Sequence, residues 1–312
     1  MTDARSLALF YVADGQRLEI QSWLLAASLA RAHAGDARVC QFAYVSAAHR
    51  PEIRDVSHAI YEACEVELRT LDAPPAWKSP YPHGNKMVAA CDARGTSHAI
   101  FLDTDMACTG SLAEFMDLAP DTVAAAPEGR PTWGGKNARW ARAYAHFGLS
   151  VPQERVRLLR GAKMEYVPYF NAGFVAFPEA MHPEDGLRFA EHWRDTAVDF
   201  DNNCAIAQKR PWLDQITLPL TMARFGYKAR VLGELHNYSL SHRADYERTP
   251  PDTVILHYHR QRFLAQAPQW PGLREMLLDS VPVAFADVVR DYVATVEATV
   301  DERSDAASQA AD

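Results

Sequence analysis

Apolar positions along the chain alternate between two rhythms. Short, nearly unbroken apolar runs at 7–13 (LALFYVA), 38–46, 65–71 and 98–102 predict strands of the kind covered on both faces. Between them, 18–33 repeats at helical spacing through Ile20, Leu24, Leu25 and Leu29, and 51–64 and 85–94 predict two further helices. The proline-rich stretch 74–82 predicts a loop. Strands alternating with helices predict an α/β fold, a mainly parallel sheet flanked by helices. In such sheets the ligand crevice lies at the carboxyl ends of the strands. Asp14 and Asp103 both follow strands there, so the fold is expected to bring them together.

The second half is less regular. A strand is predicted at 122–126, then a loop at 129–142 with Gly134-Gly135 and several basic residues. The aromatic run 166–177 surrounds Asn171-Ala172-Gly173. Helices are predicted at 183–198, with Leu187, Ala190 and Trp193 inward, and at 213–225; a late strand spans 253–259. Segment 282–300 carries a stripe of Phe285, Val288, Val289, Tyr292, Val293 and Val296, which reads as core or as the face of a homodimer. Its polar side holds Asp287, Asp291 and Glu297, which argues against docking on a membrane surface. Residues 1–300 are expected to form a single domain and 301–312 a disordered acidic tail.

Composition narrows the function. A net charge of −8 argues against broad nucleic-acid binding. Five cysteines without CxxC spacing read as reduced thiols, not as a disulfide framework or a zinc site. With no signal-peptide pattern and no apolar stretch long enough to span a bilayer, the expected setting is cytoplasmic and not transmembrane.

The chemistry concentrates at 98–110, HAIFLDTDMACTG, where a buried-looking strand ends in Asp103 and Asp105. Residues two apart on an extended segment share a face, so the carboxylates converge and repel. A hard divalent cation, manganese or magnesium, would relieve that repulsion and typically bridges carboxylates to a substrate phosphate. A strand-to-turn junction capped by Asp105 is the plain alternative. Further ordered patterns accompany the pair: Val12-Ala13-Asp14, GNKMVAA at 84–90, YFNAGFVAF at 169–177, WLDQITL at 212–218, VLGELHNYSL at 231–240 and VILHYH at 254–259.

In this order the set resembles GT-A glycosyltransferases, specifically the glycogenin-like, UDP-sugar-using, retaining family, over roughly 7–259. The resemblance implies a metal-dependent transfer of a sugar from a nucleotide-sugar donor to an unidentified sugar, lipid or protein acceptor. It implies that Asp103, Asp105 and His257 hold the metal on the diphosphate. Val12, Ala13 and Asp14 would contact the nucleotide, Lys86 and Gly173 the donor, and Asn171, Asp214 and Gln215 the transferred sugar. His259 would be an outer partner of the metal or a phosphate contact. The family's glycine and Lys-Pro-Trp stretch after the metal histidine is absent; Arg260 or Arg262 stands where its diphosphate lysine is expected.

Each residue also has a plainer reading. Asn85 would cap a helix, and Asp214 would complement a helix dipole. Asp14 would start a turn, Asn171-Gly173 would make one, and the two histidines would sit on a surface. Trp133, Lys136 and Arg139 could order over the donor as a lid or form an exposed loop. Two other functions fit a DxD at a strand end: a haloacid-dehalogenase-type phosphatase with Asp103 as nucleophile, and a non-catalytic nucleotide-sugar binder.

Overall fold

The computed structural model describes residues 6–309 except 136–137, 161–162 and 242–248, with the side chains of 300–309 also outside the description. Lys136 of the expected lid therefore lies outside the described residues.

The first half follows the predicted alternation: β1 (Leu7–Val12), α1 (Gln16–Ala32), β2 (Val39–Val45), α2 (Asp55–Ala63), β3 (Val66–Thr70), α3 (Asn85–Ala90) and β4 (His98–Leu102). There follow β5 (Met106–Cys108), β6 (Thr122–Pro127), α4 (Arg139–His146), the short pair β7 (Val156–Arg157) and β8 (Glu165–Tyr166), and β9 (Phe170–Pro178). The rest comprises α5 (Phe189–Asn203), α6 (Leu213–Phe225), β10 (Lys228–Val231), β11 (Tyr238–Ser239), β12 (Ile255–His257), α7 (Gln261–Ala265), α8 (Trp270–Asp279) and α9 (Ala286–Gln309).

Seven strands form the main sheet in the order β10-β6-β9-β4-β1-β2-β3. All neighbours run parallel except β9, which is antiparallel to both β4 and β6. The sheet is thus mainly parallel, as expected. Every residue of β1 is buried, because the strand is central and both faces are covered. Its alternate side chains enter two cores. Leu7, Leu9 and Tyr11 pack with α1, α2, α8 and α9, and Ala8, Phe10 and Val12 with α3, α5 and α6. Fully buried aromatics such as Trp193 each contribute on the order of 2–3 kcal/mol by burial.

A second sheet of three strands, β11-β12-β5, sits beside the end of β4. β5 and β12 are antiparallel with Met106 opposite His257, which sets the histidine next to Asp105. The two sheets thus meet at the DxD.

One expected boundary changes. α5 begins at Phe189, not near 183, because 182–188 first closes a turn through Gly186 at φ 73 and the Met181–Arg188 bridge. The Glu191 carboxylate then accepts the Arg188 backbone N–H at 2.9 Å and fixes the helix start. The stripe of α9 belongs to the core: Val289, Tyr292, Val293 and Val296 are buried, whereas Val288 is 45% exposed. The same helix continues to Gln309, into the segment expected to be a disordered tail. Among the described residues, no helix is long and apolar enough to cross a membrane.

Candidate active site

Buried charge organises the cleft at the strand ends. Lys86, in the first turn of α3, is buried, and burial alone would lower its pKa. The carboxylates of Asp103 and Asp214 outweigh that and hold it above the ordinary lysine range. Its ammonium lies 3.2 Å from Asp103 Oδ1 and 2.8 Å from Asp214 Oδ2. It also donates to the Ala172 carbonyl at 3.1 Å and sits over the Phe101 ring. One cation therefore joins α3, the end of β4, the start of α6 and β9.

Asp214 is held further by Tyr81, whose hydroxyl lies 3.1 Å from Asp214 Oδ1 and accepts the Asp214 backbone N–H at 3.3 Å. Next to it, Gln215 Oε1 accepts the Tyr169 hydroxyl at 2.9 Å, which leaves the Gln215 amide hydrogens for a ligand.

Gly173 has a steric reason to be glycine. A Cβ there would meet Asp103 Oδ2 at 2.8 Å, Asn171 Oδ1 at 2.9 Å and Met106 Cε at 2.9 Å. Its carbonyl accepts the Asp103 backbone N–H at 2.8 Å, so it also fixes where the first aspartate leaves the sheet. The Asn171 amide is largely engaged inside the protein. Its Oδ1 accepts the Gly173 N–H and the Asn237 amide, and its Nδ2 donates to Glu128. One amide hydrogen remains for a ligand.

On the other side of the DxD, Asp105 Oδ1 lies 3.3 Å from His257 Nε2, and Asp105 Oδ2 lies 4.0 Å from His259 Nδ1. Burial would push the Asp105 carboxyl up; His257 and then His259 override it and hold it well below the usual carboxylate range. Burial likewise opposes the charged form of His257, but Asp105 raises its pKa above the ordinary value. His257 Nδ1 is 2.8 Å from Asn237 Oδ1, so that nitrogen carries the hydrogen and Nε2 turns toward Asp105. Among the described residues, Asp105, His257 and His259 place one potential ligand atom each within 4.8 Å of one another. An oxygen and imidazole nitrogens of this kind suit a divalent transition metal. Asp103 adjoins this group but directs Oδ1 to Lys86.

At the end of β1 the side chains of Val12 and Ala13 are buried in the core, and the Ala13 N–H bonds the Tyr44 carbonyl. Asp14 Oδ1 accepts the backbone N–H and hydroxyl of Ser46 at 2.9 and 2.6 Å, and Oδ2 accepts the Asn85 amide at 3.1 Å. Asn85 thus bonds Asp14 and provides no side-chain cap for α3. Arg260 is exposed and lines a cavity of about 610 Å³ with Gln16, Arg17, Ile20, Gln21 and Gln261. Arg262 instead stacks over Phe263. The expected lid is partly core: Trp133 is buried, donates to the Gln208 carbonyl and packs against Trp140, and Arg139 bonds the Gln208 side chain.

Glu128, Asn237, Tyr81 and Tyr169 are partners of the site that the sequence reading passed over. Glu128 carries the same signal that exposed Asp103, an acid directly after an apolar strand.

A sequence model of the Rhodobacterales glycosyltransferase domain family matches residues 9–226. No curated protein sequence matches. Among solved structures, the bifunctional glycosyltransferase WbbM is similar at a TM-score of 0.59 and 12% identity, over 93% of this chain and 52% of that one. The galactosyltransferase LgtC, solved with donor and acceptor sugar analogues, is similar at 0.53 and 15%, over 89% and 98% of the two chains. Mouse xyloside xylosyltransferase 1 is similar at 0.50 and 15%, over 81% and 97%. The chain spans about half the length of WbbM and nearly all of LgtC. At these identities the likeness establishes the fold, GT-A, with its mainly parallel sheet flanked by helices.

Proposed function

The chain belongs to the Rhodobacterales glycosyltransferase family, and from that premise we propose that it moves a sugar from a UDP-sugar to a hydroxyl acceptor, with Asp103, Asp105 and His257 holding a divalent cation on the donor diphosphate. Family membership makes the protein a glycosyltransferase and displaces the phosphatase and the non-catalytic binder. The observation that carries the finer reading is the Asp105–His257 contact of 3.3 Å where the two sheets meet. It supplies a carboxylate and an imidazole whose far nitrogen is already held by Asn237.

When bound, manganese or magnesium would act as a Lewis acid on the charge that grows on the leaving diphosphate. The chain's own residues do the rest. Lys86 keeps its proton and places a fixed positive charge between Asp103 and Asp214, beside the donor. Asp214 accepts from sugar hydroxyls, and Gln215 and Asn171 offer their remaining amide hydrogens to the sugar. Gly173 gives Asp103 and the donor room at the backbone. Asp14, with the backbone at Val12 and Ala13, receives the nucleotide. Arg260, three residues after His257 and exposed, is the cation assigned to the diphosphate, a role to which arginine is suited.

Calorimetry of UDP with manganese, and then with excess EDTA, tests the assignment. UDP affinity should depend on the metal and fall on Asp105→Ala or His257→Ala; full affinity in EDTA would refute it. A hydrolysis screen of UDP-, GDP- and dTDP-sugars identifies the nucleotide.

A further inference from the structure

His257 and His259 are built alike. Each turns one ring nitrogen toward Asp105, at 3.3 and 4.0 Å, and gives the opposite nitrogen to a side chain of one neighbouring segment. For His257 that partner is Asn237 Oδ1 at 2.8 Å, and for His259 it is Ser239 Oγ at 3.0 Å. Ser239 is tied in turn to Ser241 at 3.0 Å. The two rings lie 3.7 Å apart, centroid to centroid. An imidazole with one nitrogen facing a carboxylate and the other fastened by an outer partner is the arrangement of a metal-ligating histidine.

The backbone adds a second, independent observation. His259 adopts φ 56, in the left-handed region that glycine fills without cost and a histidine does not. A strained non-glycine residue persists where the side chain is needed. At this φ the His259 ring lies against that of His257, after β12 has ended at His257.

We infer that His259 is a second imidazole ligand of the metal centre, joining Asp103, Asp105 and His257, so that the site carries two nitrogens and prefers manganese, cobalt or zinc to magnesium. The inference rests on the metal assignment made above. It extends that assignment from one imidazole to two. Two imidazoles shift a site toward transition metals, whereas magnesium prefers oxygen ligands.

The test uses the full chain and manganese alone. Electron spin-echo envelope modulation of bound Mn²⁺ should show two coupled imidazole nitrogens in the wild type and one in His259→Gly. Glycine suits the φ at this position, so the variant should melt no lower than the wild type. Its Mn²⁺ affinity should fall at least about tenfold, and its preference for Mn²⁺ over Mg²⁺ should narrow. One coupled nitrogen in the wild type, with unchanged Mn²⁺ affinity in His259→Gly and loss of binding in Asp105→Ala, overturns this inference and leaves the metal assignment standing. A wild type that binds no Mn²⁺ overturns both.

Discussion

Lys86 Nζ lies 2.8 Å from Asp214 Oδ2, joining the first turn of α3 to the first turn of α6 through a buried charge pair. The same ammonium reaches Asp103, so the DxD and the start of α6 share one cation.

Removing that cation should be costly. Lys86→Met leaves Asp103 and the buried Asp214 without their partner, and breaking a buried pair on one side costs about 3–5 kcal/mol. Urea denaturation should show this loss. Because the folded pKa of Lys86 is raised, its contribution is complete below the ordinary value of about 10.5 and disappears only as pH rises through the folded value. In the variant the Asp103 carboxyl, which burial already pushes up, loses the charge that opposes burial and takes up a proton more readily, so the difference between wild type and variant should be smaller at about pH 5 than at about pH 9.

Gly173→Ala should damage the site more than the fold. The added methyl must displace Asp103 and Asn171, both within 3 Å of it, at about 1–3 kcal/mol of stability. The variant should still unfold cooperatively but bind UDP with manganese at least about tenfold more weakly, a change of about 1.4 kcal/mol. Calorimetry and a thermal melt on the same sample separate the two effects.

Arg260→Ala should weaken UDP binding about tenfold, within the range of a lost charged hydrogen bond, and leave the melting temperature unchanged because the side chain is exposed. Arg262→Ala, at a side chain that stacks over Phe263, is the comparison and should leave UDP affinity near that of the wild type.

Away from the cleft, Asp92 should shape the acid limb of stability. Burial pushes its carboxyl up, but Arg69 at 2.6 Å and Tyr44 at 2.8 Å pull it below the ordinary value. Its contribution is present above about pH 3.8, the unfolded value, and is lost as pH falls through the folded value. Its partial exposure holds the contribution to about 1 kcal/mol. Asp92→Asn should differ from wild type by that amount near pH 7 and converge with it at strongly acid pH in urea titrations.

Legibility from sequence followed how local each feature is. β4 and α6 were predicted with their observed limits, because continuous apolar runs and helical spacing are written in adjacent residues. β5 and β11 were not predicted; two- and three-residue strands exist only through β12 and have no period of their own. α8 was missed although Trp270, Leu273 and Leu277 mark its inner face at helical spacing. The acids at strand ends were readable as chemistry. The hydrogen-bonded row Asn237–Asn171–Glu128 behind them was not, since it consists of contacts between segments far apart in the chain. An extended strand over 253–259 puts His257 and His259, two residues apart, on one face. The structure achieves it differently: β12 ends at His257, and the left-handed residue that follows returns the second ring to the first.

Asp14 ties the ends of β1 and β2 to the start of α3 with both carboxylate oxygens already in use. Oδ1 takes two donors and Oδ2 one, so a further donor can reach Oδ2 while Ser46 and Asn85 stay in place. The carboxylate is thus held in place from two sides, by β2 through Ser46 and by α3 through Asn85, with its position set before anything else approaches Oδ2.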